Sequence, residues 1–302
     1  MSKIKAWRSA ARLRTLPLSV SGIITGTALA NLYGKNDLAI LFLAILTTIG
    51  FHVTSNFAND YGDGVKGTDN EDRVGPSRML QSGLLSRKEL KSGIIISILI
   101  NLGLIVALVY VAFGFKNIGL LLLFFGLGIL SIWASINYTI GKSAYGYRGW
   151  GDFFVFIFFG LLAVMGSMFL YTKFLTLLAL LPAIAIGTLS TAVLNLNNMR
   201  DYVSDQKASK KTIVVLIGPT NGKRYHYALL IGAFLCILSF VFLTGSHIYQ
   251  YSPLVAFIPI FLHLKKVVGI ERPEVFDPEL KKLALSTFLL SILMLMSYNI
   301  FL

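Results

Sequence analysis

Apolar residues run in long blocks along this chain, separated by polar segments of alternating length. Nine stretches qualify as membrane spans: about 16–33, 38–58, 92–113, 118–138, 152–171, 174–196, 226–244, 250–264 and 283–302. A helix needs ~20 mostly apolar residues to cross a bilayer. The eighth stretch is short and carries Pro253 and Pro259, which makes it the weakest of the nine. Turns at 34–37, 115–117 and 171–173 are short enough to force their flanking helices into antiparallel hairpins. The other connections are longer, and within them 86–92 and 219–226 read as short helical lead-ins behind polar N-caps. The pattern predicts an all-α fold, a polytopic membrane bundle of nine transmembrane helices. Residues 1–302 are expected to form one integral-membrane domain.

Charge then gives the bundle a direction. The chain has 302 residues, 27 Lys and Arg against 14 Asp and Glu, and a formal net charge of +13. If the nine spans alternate, 24 of the basic residues fall on the side of the N-terminus, and only Lys35, Lys116 and Lys173 on the other. The positive-inside rule places the N-terminus in the cytoplasm and the C-terminus outside. Basic residues distributed this way are topological signals and headgroup contacts, so no nucleic-acid partner is expected. The basic N-terminus is followed by a full-length span without a small-residue cleavage site, unlike a signal peptide. Cys236 is alone in an apolar span, which excludes an intrachain disulfide or a cysteine metal site. His52, His226, His247 and His263 lack ligand spacing and read as structural or interfacial, although His52 shares a span with the first acidic cluster described next.

Carboxylates are concentrated on the same side: of fourteen, only Asp37 lies opposite. Two clusters stand out. Asn56, Asp60 and Asp63 recur at i, i+4 and i+7, and Asn198, Asp201 and Asp205 at i, i+3 and i+7, so each set shares one helix face. Asn56-x-x-x-Asp60 and Asn197-x-x-x-Asp201 share a spacing, which is consistent with an old duplication. Solvated helix ends would explain one such Asp. Two matched faces on one side of a membrane point to function. Hard oxygens of this kind suit Mg2+, which is held by one or two carboxylates together with substrate phosphates. Two faces therefore suit two ions clamping one diphosphate, with Asn56, Asp60, Asp63, Asn198, Asp201 and Asp205 as candidate ligands. Neutralising the leaving group as a C–O bond ionises makes Asp60, Asp63, Asp201 and Asp205 the candidate catalytic groups. Asp63 and Asp69 are also candidates for work on the acceptor. Lys66, Arg73, Arg78, Lys142 and Arg148 are candidate contacts for diphosphate oxygens, and Asn56, Tyr138 and Asn197 complete the substrate-binding set. Some of the 22 Phe, 13 Tyr and 3 Trp should line an apolar tunnel and face an allylic cation.

At these motifs the chain resembles the UbiA-type intramembrane prenyltransferases, most closely the branch acting on 1,4-dihydroxy-2-naphthoate. The resemblance rests on Arg14-Thr15-Leu16-Pro17, Asn59-Asp60-Tyr61-Gly62-Asp63 through Asp69, and Arg73-Val74-Gly75-Pro76-Ser77-Arg78. The run Tyr145 to Asp152 and Asn197-Asn198-Met199-Arg200-Asp201 through Asp205 complete it, in the expected order over nearly the whole chain. Two departures occur. Leu216-Ile217 stands where such enzymes commonly have an Arg, and Tyr138-Thr139 is followed by Ile140-Gly141-Lys142 where many carry a Gly-Gly-Pro. The resemblance implies a nine-helix bundle in the bacterial inner (cytoplasmic) membrane, Mg2+ dependence, and a cavity facing the cytoplasm and opening sideways to lipid. It also implies transfer of a polyprenyl chain from polyprenyl diphosphate to the naphthoate, with decarboxylation, giving demethylmenaquinone. Two alternatives remain at this point: another aromatic acceptor such as 4-hydroxybenzoate, and a cation-coupled secondary transporter. A transporter should carry its polar breaks near the midplane, whereas these clusters lie at span ends.

Overall fold

The structure, a computed structural model, describes residues 2–68, 74–76 and 78–298. Arg73 and Asp69, both candidates above, lie outside the described residues. A short helix α1 (Lys3–Ala10) starts from Ser2, whose hydroxyl accepts from the Lys5 amide. Arg12 then turns the chain into α2 (Leu16–Leu32), which has Pro17 in its first turn, where no donor is lost. Nearly all of α2 from Leu18 to Asn31 is buried, as expected of a helix apolar all round.

The next helix, α3 (Leu38–Lys66), is capped by the Asp37 carboxylate and ends at Gly67, whose φ of 71° suits glycine. Its 29 residues make about 43 Å of helix, against a hydrocarbon core of ~30 Å. The last two turns, which carry Asp60 and Asp63, therefore emerge from the apolar slab while staying helical. Hydropathy alone had closed this span at 58. Helices α4 (Arg87–Phe113), α5 (Ile118–Asn137), α6 (Gly151–Thr172) and α7 (Leu180–Arg200) follow. A reciprocal Ser86–Glu89 capping box starts α4, so the expected 86–92 lead-in is the first turn of the span itself. The same holds for 219–226. After the short α8 (Tyr202–Lys207) and α9 (Ile213–Ile217), α10 (Pro219–Thr244) begins at Pro219 and runs without a break. The eighth span opens as a 3-10 stretch, Ile248–Ala256, around Pro253 and becomes α11 (Phe257–Val268). The chain closes with α12 (Phe276–Ser297).

Nine helices among the described residues are long and apolar enough to cross a membrane, in the order the sequence predicts. Two apolar cores share α2. One joins α7, α10, α11 and α12, and the other joins α3, α4, α5 and α6. Close approach of α6 to α7 depends on glycine, because a Cβ on Gly160 would lie 2.6 Å from the Gly187 Cα. The basic N-terminus and the segments 59–91, 139–151, 197–225 and 265–282, which hold the 24 basic residues, gather at one end of the bundle. Lys3 pairs with Glu89 at 2.6 Å, Arg14 with Asp277 at 3.3 Å, and the Lys211 amide donates to the Tyr147 carbonyl.

Between Phe156 and Gly166, α6 winds as a π-helix. Cavity-lining positions on α6 recur in pairs four apart: Phe154 and Val155, Phe158 and Phe159, Leu162 and Ala163, Gly166 and Ser167, ending at Leu170. At 3.6 residues per turn, sixteen residues would rotate a side chain by about 160° from its starting face. The wider π winding cancels that drift, so one continuous wall of α6 faces the cavity.

Candidate active site

A cavity of about 410 Å³ opens at the end that carries the acidic motifs. Its polar mouth includes Asn56, Asn59, Asp63, Arg78, Asn197 and Lys210. From there it follows α3 inward to Ala44, about 28 Å at 1.5 Å per residue. Its far wall holds Ile105, Val109 and Phe124, and Phe124 stacks on Phe169 at 5.4 Å. Tyr145 stacks on Phe154 at 4.0 Å beside the mouth. The site is thus charged at one end and apolar along its length.

The first motif lies on one helix face, as its spacing predicts, but its members take different partners. Asp63 accepts from the Tyr147 hydroxyl at 2.7 Å and faces the Arg78 guanidinium at 3.6 Å. Asp60 turns both oxygens to backbone amides, those of Met79 at 3.1 Å and Leu80 at 3.3 Å. That pair of bonds fastens the loop bearing Arg78 onto α3 and carries Arg78 to the cavity. The Asn56 amide nitrogen donates to the His52 carbonyl at 2.8 Å, and His52 in turn meets the Ser19 hydroxyl at 2.8 Å.

The second motif is not one helical face. Asp201 ends α7 with φ −95° and ψ 13°, and Asp205 belongs to α8. The i, i+3, i+7 reading assumed a continuous helix, and the break at Asp201 re-aims Asp205. Asp201 accepts from Nε and one terminal nitrogen along a single edge of the Arg200 guanidinium, at 2.9 and 2.7 Å. Asn197 lines the cavity, and Asn198 is buried.

Lys210, which the sequence reading passed over, joins the two motifs. Its ammonium lies 3.3 Å from Asp205, lines the cavity beside Asp63, and is buried. Burial alone would lower its pKa, but the Asp63 and Asp205 carboxylates outweigh that and hold it well above the ordinary value. Burial pushes the Asp205 carboxyl up to about 6 against the opposing pull of Lys210. At neutral pH Lys210 is therefore a cation facing a largely ionised Asp205. The available signal was a basic residue five positions after Asp205, obscured because Lys210 sits in a run of lysines. Tyr147 and Arg200 stood inside the quoted motifs without being assigned a role, and Asp277 was not singled out at all.

The remaining candidates separate by position. Tyr138 is on the cavity wall, and burial raises its phenol to about 12, which keeps its proton in place. Lys66 is exposed and lies over the Tyr147 ring at 4.0 Å. Lys142 and Arg148 are exposed and off the cavity wall, because the 145–147 turn packs Tyr145 inward and leaves the flanking polar side chains outside. Among the described residues, no three His, Cys, Asp or Glu side chains converge as a ready metal cage. Mg2+ does not require one, since phosphate and water oxygens complete its octahedron. Asp63 and Asp205 meet around one cation, and the buried Oδ2 of Asp205 has no hydrogen-bond donor. These hard oxygens fit Mg2+.

Residues 19–277 match the UbiA prenyltransferase family. A 1,4-dihydroxy-2-naphthoate octaprenyltransferase of Haemophilus influenzae is 42% identical over 96% of this chain and 94% of its own length. The enzyme of the same name from Escherichia coli is 44% identical over 80% of this chain and 77% of its own. Among solved structures, an apo UbiA homologue from Aeropyrum pernix superposes with a TM-score of 0.68 at 17% identity, covering 95% of this chain and 97% of that one. A UbiA homologue from Archaeoglobus fulgidus bound to DMAPP and Mg2+ superposes with a TM-score of 0.60, covering 94% and 98% at 17% identity.

Proposed function

The chain belongs to the UbiA prenyltransferase family, and from that premise we propose that it transfers a polyprenyl group from polyprenyl diphosphate to 1,4-dihydroxy-2-naphthoate. The allylic C–O bond breaks and its electron pair leaves with the diphosphate. The ring carbon bearing the carboxylate forms the new C–C bond, and the electrons of its C–CO2 bond restore aromaticity as CO2 departs. The step is redox-neutral, so the immediate product is the hydroquinone demethylmenaquinol, which becomes demethylmenaquinone on two-electron oxidation. Relatives named for this acceptor support the choice. The observation that carries the reading is Lys210 between the two acidic motifs, at the mouth of an otherwise apolar cavity.

Mg2+, when bound, would neutralise charge growing on the diphosphate. Asp63 and Asp205 are its best-placed ligands. Asp60 and Asp201 join that role only if they exchange the backbone and Arg200 partners they now hold, and Asn56 and Asn198 supply amide oxygens nearby. Arg78 and Lys210 bind diphosphate oxygens by charge-assisted hydrogen bonds. Tyr138 keeps its proton and donates toward the reacting ring. The prenyl tail occupies the wall built by α3, α5 and the π segment of α6, which excludes water from the allylic cation. The ring faces of Phe154 and Phe158 contribute cation–π attraction.

We further infer that residues 1–302 act as one domain in the bacterial cytoplasmic membrane, with the N-terminus and active site facing the cytoplasm and the C-terminus outside. The 24-to-3 split of basic residues supports this. Cysteine-labelling at the exposed position 211 from each side of sealed vesicles tests the orientation; labelling there from outside only would reverse it. The reaction is tested with purified protein, one polyprenyl diphosphate, and the naphthoate and 4-hydroxybenzoate in turn. Demethylmenaquinol, read as demethylmenaquinone after air oxidation, is expected with stoichiometric CO2. Prenylation of 4-hydroxybenzoate alone would overturn the acceptor assignment.

A further inference from the structure

Arg200 is a buried guanidinium with four hydrogen bonds, and they fall on three side chains from two parts of the chain. Its Nε and one terminal nitrogen grip Asp201 at 2.9 and 2.7 Å. The same terminal nitrogen donates to the Asn197 side-chain oxygen at 2.6 Å. The other terminal nitrogen donates to Asp277 at 2.6 Å. Asp277 lies in the first turn of α12, more than seventy residues away, and also receives Arg14 at 3.3 and 3.4 Å. The two contacts of Asp277 differ in kind. The Arg200 side chain is 1% exposed, whereas Arg14 is 48% exposed and its bonds are long. An exposed pair of that sort contributes little, but a buried guanidinium without its second carboxylate would be left badly compensated.

One consequence concerns Asn197. With its oxygen held by Arg200, the amide must present its nitrogen elsewhere, and Asn197 is on the cavity wall. It then offers N–H donors, which suit a phosphate oxygen and not a cation.

We propose that Asp277 is a positioning residue for the diphosphate end of the site. It anchors the far edge of Arg200, and Arg200 in turn fixes the Asn197 amide as a donor and the Asp201 carboxylate in register with it. The idea rests on the prenyl-diphosphate reading above. Outer contacts of this kind typically change affinity or activity by about 10–100-fold when removed. Asp277→Asn should therefore raise the KM for polyprenyl diphosphate by at least about tenfold, with a much smaller change in kcat. Asp277→Glu should recover most of the loss, and Arg14→Ala should stay within about twofold of the parent protein, as an exposed pair would.

Binding is read independently of turnover, with Mn2+ as the probe in electron paramagnetic resonance titrations of detergent-solubilised protein, with and without inorganic diphosphate. Weakened uptake of the Mn2+–diphosphate pair in Asp277→Asn, at unchanged monodispersity, supports the proposal. A fall in kcat and melting temperature with unchanged KM and unchanged Mn2+–diphosphate binding would overturn it and leave Asp277 a purely structural brace. Should Asp277→Asn not fold, Arg200→Lys keeps the charge but cannot span Asn197, Asp201 and Asp277 together, and it carries the same expectation and the same refutation. Failure of the functional reading looks different: the parent would bind Mn2+ and diphosphate normally yet form no prenylated product.

Discussion

Removing the charge of Lys210 while keeping its length, as Lys210→Met, tests the junction between the two acidic motifs. In the parent the ammonium is 3.3 Å from Asp205 and shares the cavity mouth with Asp63. Asp63 keeps other partners, the Tyr147 hydroxyl and Arg78. Asp205 does not fare as well, since its Oδ2 already lacks a donor. The variant thus leaves a buried, under-compensated carboxylate, and breaking a buried pair this way costs about 3–5 kcal/mol. Metal should reverse much of that, because a divalent cation fills the same negative hollow without competing against Lys210. Ligand at a hundredfold over its dissociation constant stabilises by about 2.7 kcal/mol. Melting is followed by tryptophan fluorescence in detergent, with and without Mg2+. We expect a melting temperature several degrees below the parent's without Mg2+ and a larger Mg2+-induced rise than the parent shows. Equal melting without Mg2+, or equal Mg2+ shifts in the two proteins, would refute the argument that Lys210 holds the two motifs together.

Three further outcomes are expected. Asp205 has its folded-state pKa raised to about 6 by burial, so the stability its protonation supplies is complete below the unfolded value and lost as pH rises through 6. Asp205→Asn should therefore abolish transfer yet melt no lower than the parent at pH 7.5 without Mg2+, any advantage shrinking toward pH 4.5; a deficit at pH 7.5 that disappears in acid would contradict this. Gly160→Leu should collapse the α6–α7 contact, since even a Cβ lies 2.6 Å from the Gly187 Cα, and size-exclusion profiles should show aggregated or degraded protein. Phe124→Ala removes one ring of the stack closing the far wall, and competition among prenyl diphosphates of graded length should shift toward longer chains, with an unchanged ratio counting against that wall as a length stop.

The spans were legible because twenty apolar residues in a row have one physical use. Their ends were less legible, and for a consistent reason. Helix α3 stays helical from Leu38 to Lys66, past the point where hydropathy falls, because Asn56, Asp60 and Asp63 are compatible with a helix once its end is out of hydrocarbon. The reverse error occurs at the second motif. Regular spacing from Asn198 to Asp205 reads as one face, but the chain breaks helix at Asp201, where Arg200 doubles back onto its neighbour's carboxylate. Spacing cannot reveal a break that a side chain of the same segment stabilises. Lys210 was hidden for another reason: at this end of the bundle, lysine is the expected background, and only burial between two carboxylates separates this one from the rest.

The apolar wall poses the deeper difficulty. In a soluble protein the face of a helix that turns inward betrays itself by alternation with polar residues. On α6, from Phe153 to Leu170, lipid-facing and cavity-facing positions are alike apolar except for Ser167, and one polar residue marks no period on the inner face. The winding cannot be inferred either, because the π segment contains no proline and its glycines at 160 and 166 are equally explained by close packing. Yet the winding decides which side chains share a wall: with α geometry throughout, Phe154 and Leu170 would point about 160° apart. What sequence encodes here is contact with neighbours, through Gly160 against Gly187 and Gly22 against Ala163. Helices α2 and α7 press on α6 at those two points, three residues apart and both inside the π segment. The cavity's shape is therefore a property of three packed helices, and substitutions at the clamping glycines should alter the prenyl wall as surely as substitutions that line it.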